Sequence, residues 1–184
     1  ELIALAKSHP PGKLSYGSSG VGSSSHLMGE LFNFMADVKI THVPYKGSVD
    51  SAIANASGQI EMSYPRVASA GPLLESGKLR AIAVTGTKRA ASLPAVATIS
   101  EAGLTGYDRT TWFGIAVPAG VPKKIIARLN AAIVKIGATP EMKATLNKQG
   151  MESETNTPDQ FAALIHRGIE LNAKLIKSAG IKPE

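Results

Sequence analysis

Strand-like and helix-like segments alternate through the first two-thirds of this chain, and that alternation narrows the fold more than any other feature. Leu2, Ile3, Leu5 and Ala6 mark a short helix ended by Pro10-Pro11-Gly12. Lys13–Ser18 (KLSYGS) reads as a strand. Ser23–Val38 reads as a helix with Leu27, Met28, Leu31 and Met35 on one face. Ile40–Pro44 (ITHVP) is a short strand, Asp50–Ala56 a helix and Gln59–Tyr64 (QIEMSY) a third strand element. Val67–Ser76 is helical with Gly77 as its stop, and Leu79–Thr85 (LRAIAVT) is a buried-looking strand. Strands joined by helical crossovers run parallel and need cover on both faces, so the expected class is α/β with a mostly parallel sheet.

The pattern changes after about Tyr107. Thr110–Pro118 (TTWFGIAVP) reads as one apolar strand, and only helices follow. Lys123–Ile136 places Ile125, Ile126, Leu129, Ile133 and Ile136 on one face, with Pro122 at its start and Gly137 at its end. Thr139-Pro140-Glu141 opens the next helix, which stops at Gly150. Thr157-Pro158-Asp159-Gln160 has the elements of a capping box, and its helix runs to about Ser178. One strand and three helices close no sheet of their own. Residues 112–184 therefore read as part of a domain whose other strands lie elsewhere. The opening Glu1-Leu2-Ile3-Ala4-Leu5 falls in mid-helix, as expected of a fragment of a longer precursor.

Composition excludes several functions. The net charge is +6, but no basic run exceeds two residues, and the nine aromatics are scattered. Neither a nucleic-acid footprint nor a polybasic membrane patch is expected. Without cysteine there is no disulfide, thiolate catalysis or Cys-ligated metal. His9, His26, His42 and His166 share no metal-ligand spacing, so neither a metal nor a cofactor is expected. No apolar run approaches the roughly 18–20 residues that span a bilayer.

The chemistry concentrates in Ser18-Ser19-Gly20-Val21-Gly22-Ser23-Ser24-Ser25-His26, between an expected strand and an expected helix. Gly20 and Gly22 let the backbone turn and approach a ligand. A helix start offers unpaired N–H groups and partial positive charge, and Ser23, Ser24 and Ser25 add hydroxyls. That combination suits an anion without any Lys or Arg. The same residues could equally serve as helix caps and turn formers. Two named anion motifs are absent: no Gly-Lys-Ser/Thr ends the loop, and Ser25 stands where a dinucleotide fingerprint needs its third glycine. His26 could donate to a ligand or pack locally, and packing is its expected role. His42 is expected to be half-buried rather than catalytic. Tyr45 and Lys46 lie in a second strand-to-helix loop, where Tyr45 could flank a ligand. Glu61, on the third strand, is placed either to accept from neighbouring N–H groups or to meet a ligand's ammonium. No catalytic triad, nucleophile elbow or paired carboxylate stands out.

KLSYGSSGVGSSSHLMGELF, THVPYKG, GQIEM, GKLRAIAVTGTKRAASLPAVATISEAGLTGY and TTWFGIAVPAGVP occur in this order along the chain. The set resembles the extracytoplasmic solute receptors of tripartite tricarboxylate transporters, the Bug-type receptors. The resemblance implies a type II periplasmic-binding-protein fold closing around its ligand at a hinge. Residues 1–110 would form the complete second domain, and 111–184 the hinge strand and helices of the first. It implies a periplasmic protein, not an enzyme, that captures a small carboxylate and docks on the transporter's membrane subunits without inserting in the membrane itself. The ligand carboxylate would rest on Ser18, Ser19, Gly20, Gly22, Ser23 and Ser24, with Tyr45 and Glu61 beside it. Glu61 replaces the Asp the family often carries. The first domain's opening strand and its ligand loop lie outside these residues, and with them half the cleft. Two rival readings are an enzyme using the loop as an oxyanion site and a sensory module on the same scaffold.

Overall fold

The computed structural model describes residues 1–181. Three parallel strands form its sheet in the order β2-β1-β3, with β1 (Ser15–Ser18) between β2 (Thr41–Pro44) and β3 (Met62–Ser63). Helix α1 (Leu2–Ser8) precedes β1, α2 (Ser24–Ala36) links β1 to β2, and α3 (Ser48–Ala56) links β2 to β3. Helix α4 (Val67–Glu75) follows β3.

The order of the strands positions the site. The chain steps from β1 to one side and then back across β1 to the other. Right-handed crossovers in opposite directions put α2 and α3 on opposite faces of the sheet. Adjacent residues of β1 record this, because their side chains point to opposite faces. Tyr16 packs on α2, where a Cβ at Gly29 would overlap its ring. Gly17 faces α3, where an added Cβ would meet Ser51 Oγ and Ile60 Cδ1, each at 2.5 Å. Glycine at 29 and 17 is thus the condition for close helix–sheet packing on either face.

The core gathers around Tyr16, Phe32, Ala36, Ile40, Ile99 and Tyr107. The Tyr107 hydroxyl donates to the Met28 carbonyl at 2.9 Å, tying a residue 79 positions later to α2. At its other end α2 stops at Asp37, whose φ of 50° is left-handed. Asn33 then fixes the start of β2 by exchanging two hydrogen bonds with the Ile40 backbone.

Contacts divide the chain into two units. The first comprises Glu1–Thr111 with the last turns of α7 from Lys174 onward; the second is Trp112–Ala173. The second holds α5 (Lys123–Gly137), α6 (Pro140–Lys148) and most of α7 (Pro158–Ala179). The expected capping box is formed: Thr157 N–H donates to Gln160 Oε1 at 2.9 Å, and Gln160 N–H to Thr157 Oγ1 at 3.2 Å. Trp112 meets Phe161 edge-on at 5.2 Å. Ile125, Leu129, Ile133 and Ile136 of α5 are exposed.

Two expected strands are corrected. Thr110–Pro118 carries no strand, and Trp112, Phe113, Ile115 and Val117 are exposed. Its β-prone side chains are not enough, since no strand among the described residues offers a partner for its ladder. Leu79–Thr85 reduces to one parallel bridge between Val84 and Thr98. There Val84 N–H bonds Ala97 O and Ile99 N–H bonds Val84 O, and the pairing goes no further. Likewise the third strand is two residues long rather than the six of Gln59–Tyr64.

Candidate functional site

The β1–α2 and β2–α3 loops leave the same, C-terminal edge of the sheet for opposite faces. A crevice opens between such diverging loops, and open α/β sheets bind ligands there. The Tyr45 N–H donates to the Ser18 carbonyl at 3.0 Å and holds the two loops together.

The β1–α2 loop folds through its own serines. Ser23 caps α2, accepting from His26 N–H at 3.3 Å and donating to the Gly20 carbonyl at 2.7 Å. The Ser25 hydroxyl accepts from Ser19 N–H at 2.9 Å and lies 3.0 Å from Ser19 Oγ and 3.1 Å from Ser23 Oγ. Gly20 (φ 124°) and Gly22 (φ 71°) take backbone angles that a side chain would strain. The capping reading is therefore realised for Ser23, and the serine hydroxyls are largely spent on the loop.

What remains is backbone. Among the described residues, the N–H groups of Val21, Ser24 and Ser25 bond to no protein acceptor. Val21, Gly22 and Ser24 are exposed. The first turn of α2 carries no acidic residue, so nothing within it competes for the positive end of the helix dipole. Free donors, a helix start and an uncrowded glycine turn make a surface for an anion.

Beneath the loop lies a pair that sequence reasoning did not assemble. His26, on α2, and His42, on β2, stack with ring centroids 3.7 Å apart and planes 9° from parallel. His26 Nδ1 accepts from Gly22 N–H at 3.0 Å, and His42 Nε2 lies 2.6 Å from Ser18 Oγ. Burial lowers the pKa of both rings. The Glu30 carboxylate opposes the shift at His26, while the neighbouring His26 adds to it at His42, which falls to about 4. Tyr16, in register with His42, packs 5.2 Å from that ring and donates to Glu30 at 2.6 Å. Register was the missing signal: Tyr16 opposite His42 sends both side chains to one face.

Ser18, Ser19, Gly20, Gly22, Ser23, Ser24 and Tyr45 thus meet at one edge. Tyr45 is half-buried, with its ring beside Gly17. Glu61 does not join them. It precedes β3 at the opposite end of the sheet, roughly 10 Å of strand away from Ser18, and accepts from Ser15 N–H and Oγ at 2.7 and 2.8 Å. Those bonds hold its carboxyl below the usual range.

Ser18 and His42 have the spacing of a nucleophile and its base. Yet Ser18 is 1% exposed, and its hydroxyl also contacts the Gly20 backbone. No carboxylate among the described residues orients His42. Nor does any cluster of three or more His, Asp or Glu among them form a metal site there. No helix of the described residues is long and apolar enough to cross a membrane.

Comparison with known proteins places the chain. Residues 1–181 match the family described as "Tripartite tricarboxylate transporter family receptor". A Pseudomonas sp. (strain P51) protein from the tcbD-tcbE intergenic region is 36% identical over 96% of this chain, which spans 52% of that relative. Rpa4515 of R. palustris, solved with adipate, superposes with a TM-score of 0.85 at 35% identity, over all of this chain and 61% of its own. MatC of Rhodopseudomonas palustris, solved with bound malate, superposes with a TM-score of 0.75 at 28% identity, over 95% of this chain and 60% of its own. The chain therefore spans little more than half the length of these relatives. From its matched sequence and its shared fold, the chain belongs to the tripartite tricarboxylate transporter receptor family.

Proposed function

We propose that this chain carries the carboxylate half-site of an extracytoplasmic solute receptor that delivers a small carboxylate to the membrane subunits of a tripartite transporter. The observation that carries the reading is the set of unpartnered N–H groups at Val21, Ser24 and Ser25, the first two on exposed residues, beside the left-handed glycines Gly20 and Gly22. A carboxylate accepts several such bonds at once, and charge-assisted bonds to backbone N–H are among the stronger kinds. Adipate and malate in the two structural neighbours are dicarboxylates, which fits one carboxylate on this loop and the other on a facing domain. The unit that carries the loop comprises Glu1–Thr111 with the end of α7 from Lys174. Closure about the hinge then buries the ligand.

Capture without turnover is favoured over catalysis. Ser18 is buried, and the His26 ring is engaged by Gly22 N–H rather than by the Ser23 hydroxyl. Family membership supports a periplasmic location.

Thermal melting against mono-, di- and tricarboxylates, with phosphate and nucleotides as controls, tests the reading. Ligand at 100 times its dissociation constant adds about 2.7 kcal/mol, a shift of several degrees. A selective shift with a carboxylate is expected. Silence from every acid, in this chain and in a chain extended to the length of its relatives, would overturn it.

A further inference from the structure

The His26–His42 stack stands outside the anion surface and touches it at two points. Gly22 N–H, which sits between the free N–H of Val21 and the cap at Ser23, is held by His26 Nδ1 at 3.0 Å. Ser18, at the end of β1, is held by His42 at 2.6 Å. The rings lie face to face at 3.7 Å, so the two anchors are one unit, contributed by α2 and β2 together.

The Gly22 anchor works in one protonation state. Nδ1 of His26 accepts a hydrogen bond only while it carries no proton. Protonated, it would set N–H against the Gly22 N–H and release that residue. Two imidazolium rings stacked at this distance would repel as well. Glu30 lies 3.9 Å from His26 Nε2, from the same helix, and compensates a charge on His26 in part. From β1, Tyr16 faces the pair with a phenol already committed to Glu30, and beyond it Tyr64 meets the Tyr16 ring edge-on. No carboxylate stands on the His42 side among the described residues. The first proton therefore goes to His26, where it costs the Gly22 anchor.

We propose that the stacked His26–His42 pair is the positioning element of the carboxylate loop, holding Gly22 and Ser18 in place while both rings are neutral and loosening the loop when His26 takes a proton. The inference rests on the loop being the carboxylate half-site. Neither histidine touches the ligand in this account; both act through the loop backbone. Burial already lowers both rings below the ordinary histidine value, so the loop is held at neutral pH and released under acid.

The test reads the ligand-free chain, so that it stands apart from whether any acid binds. Backbone amide and histidine ring NMR signals are followed from pH 7.5 to 4. The expected result is that the Gly20 and Gly22 amides, with Ser18, move with the His26 ring and share its midpoint, while Gly137 and Gly150 stay still. In the His26→Asn, His42→Gln double variant the side-chain amide oxygen introduced at position 26 can still accept from Gly22 but cannot titrate, and the loop amides should lose that transition. Loop amides that titrate equally in the variant, or a His26 ring that titrates without moving Gly22, would overturn the proposal. Should the double variant not fold, His26→Asn alone decides the Gly22 arm by the same two outcomes. Adipate added at pH 7.5 gives the separate answer on the receptor reading. Chemical-shift changes at Val21, Ser24 and Ser25 support it, and silence from adipate and every other acid of the panel counts against it while leaving the coupling of His26 to Gly22 intact.

Discussion

Ser15 gives both of its donors to Glu61, the amide at 2.7 Å and the hydroxyl at 2.8 Å, and so fixes that carboxylate at the end of the sheet far from the glycine loop. Glu61 is a latch between β1 and the chain entering β3. Glu61→Gln should leave carboxylate binding unchanged and lower stability by about 1 kcal/mol, the modest worth of an exposed charge-assisted pair. Its folded pKa is depressed, so this contribution is present above the usual carboxylate range and lost as pH falls through the folded value. Urea denaturation of wild type and variant at pH 7 and pH 3 checks both statements: the difference should shrink in acid.

Two glycines in helices should answer in opposite directions. A Cβ at Gly29 would overlap the Tyr16 ring, which is fully buried and bonded to Glu30 and so has little room to retreat. Overpacking costs about 1–3 kcal/mol against a helix-propensity gain below about 1 kcal/mol, so Gly29→Ala should destabilise. At Gly71 in α4 a Cβ meets nothing within 4 Å, and Gly71→Ala should stabilise by up to about 1 kcal/mol. Thermal melts of the two variants compare the signs.

Acid should destabilise this protein from about pH 6.5 downward. His26 and His42 both have folded pKa values below 6.5, with His42 at about 4. Between the folded and unfolded values the unfolded chain binds more protons, so stability rises with pH there. The contribution is full above about pH 6.5 and is lost as pH falls toward 4. Denaturation midpoints taken from pH 7.5 to 4 should decline for wild type, and less steeply for His42→Gln.

Thr157→Ala removes the side-chain half of the capping box at α7, leaving Gln160 N–H without its acceptor. A loss of about 1 kcal/mol is expected, with no change in ligand affinity. Helical circular dichroism through a thermal melt measures the first, and a carboxylate titration the second.

Local chemistry was legible and partnership was not. The Gly20–Ser23 turn, the Thr157 box and the stop at Gly77 each follow from residues a few positions apart, and each is formed. The strand at Ser15–Ser18 and the helix at Ser24–Ala36 follow from periodicity, trimmed at the ends. Thr110–Pro118 and Leu79–Thr85 misled because apolar, β-branched residues fit a sheet only where a neighbouring strand exists. Glu61 shows the same limit in miniature: of its two expected roles it takes that of accepting from a neighbouring N–H group. The register of Tyr16 opposite Met62 puts residue 61 at the end of the sheet away from the glycine loop, and no local pattern reveals register. The His26–His42 stack joins positions 16 apart through that geometry and was invisible to spacing alone.

On the proposed reading, backbone N–H groups at the start of α2 hold a carboxylate. Ser24 is the first residue of α2, and Ser23 before it has φ −66° and ψ 162°, an extended conformation that a following proline tolerates. Ser24→Pro therefore deletes one free N–H at a helix position where proline is favoured. Calorimetric titration of adipate into wild type and Ser24→Pro is the direct measurement. The free variant should melt unchanged and bind at least about tenfold more weakly, the worth of one charge-assisted bond. Equal adipate affinity in the two proteins would contradict it.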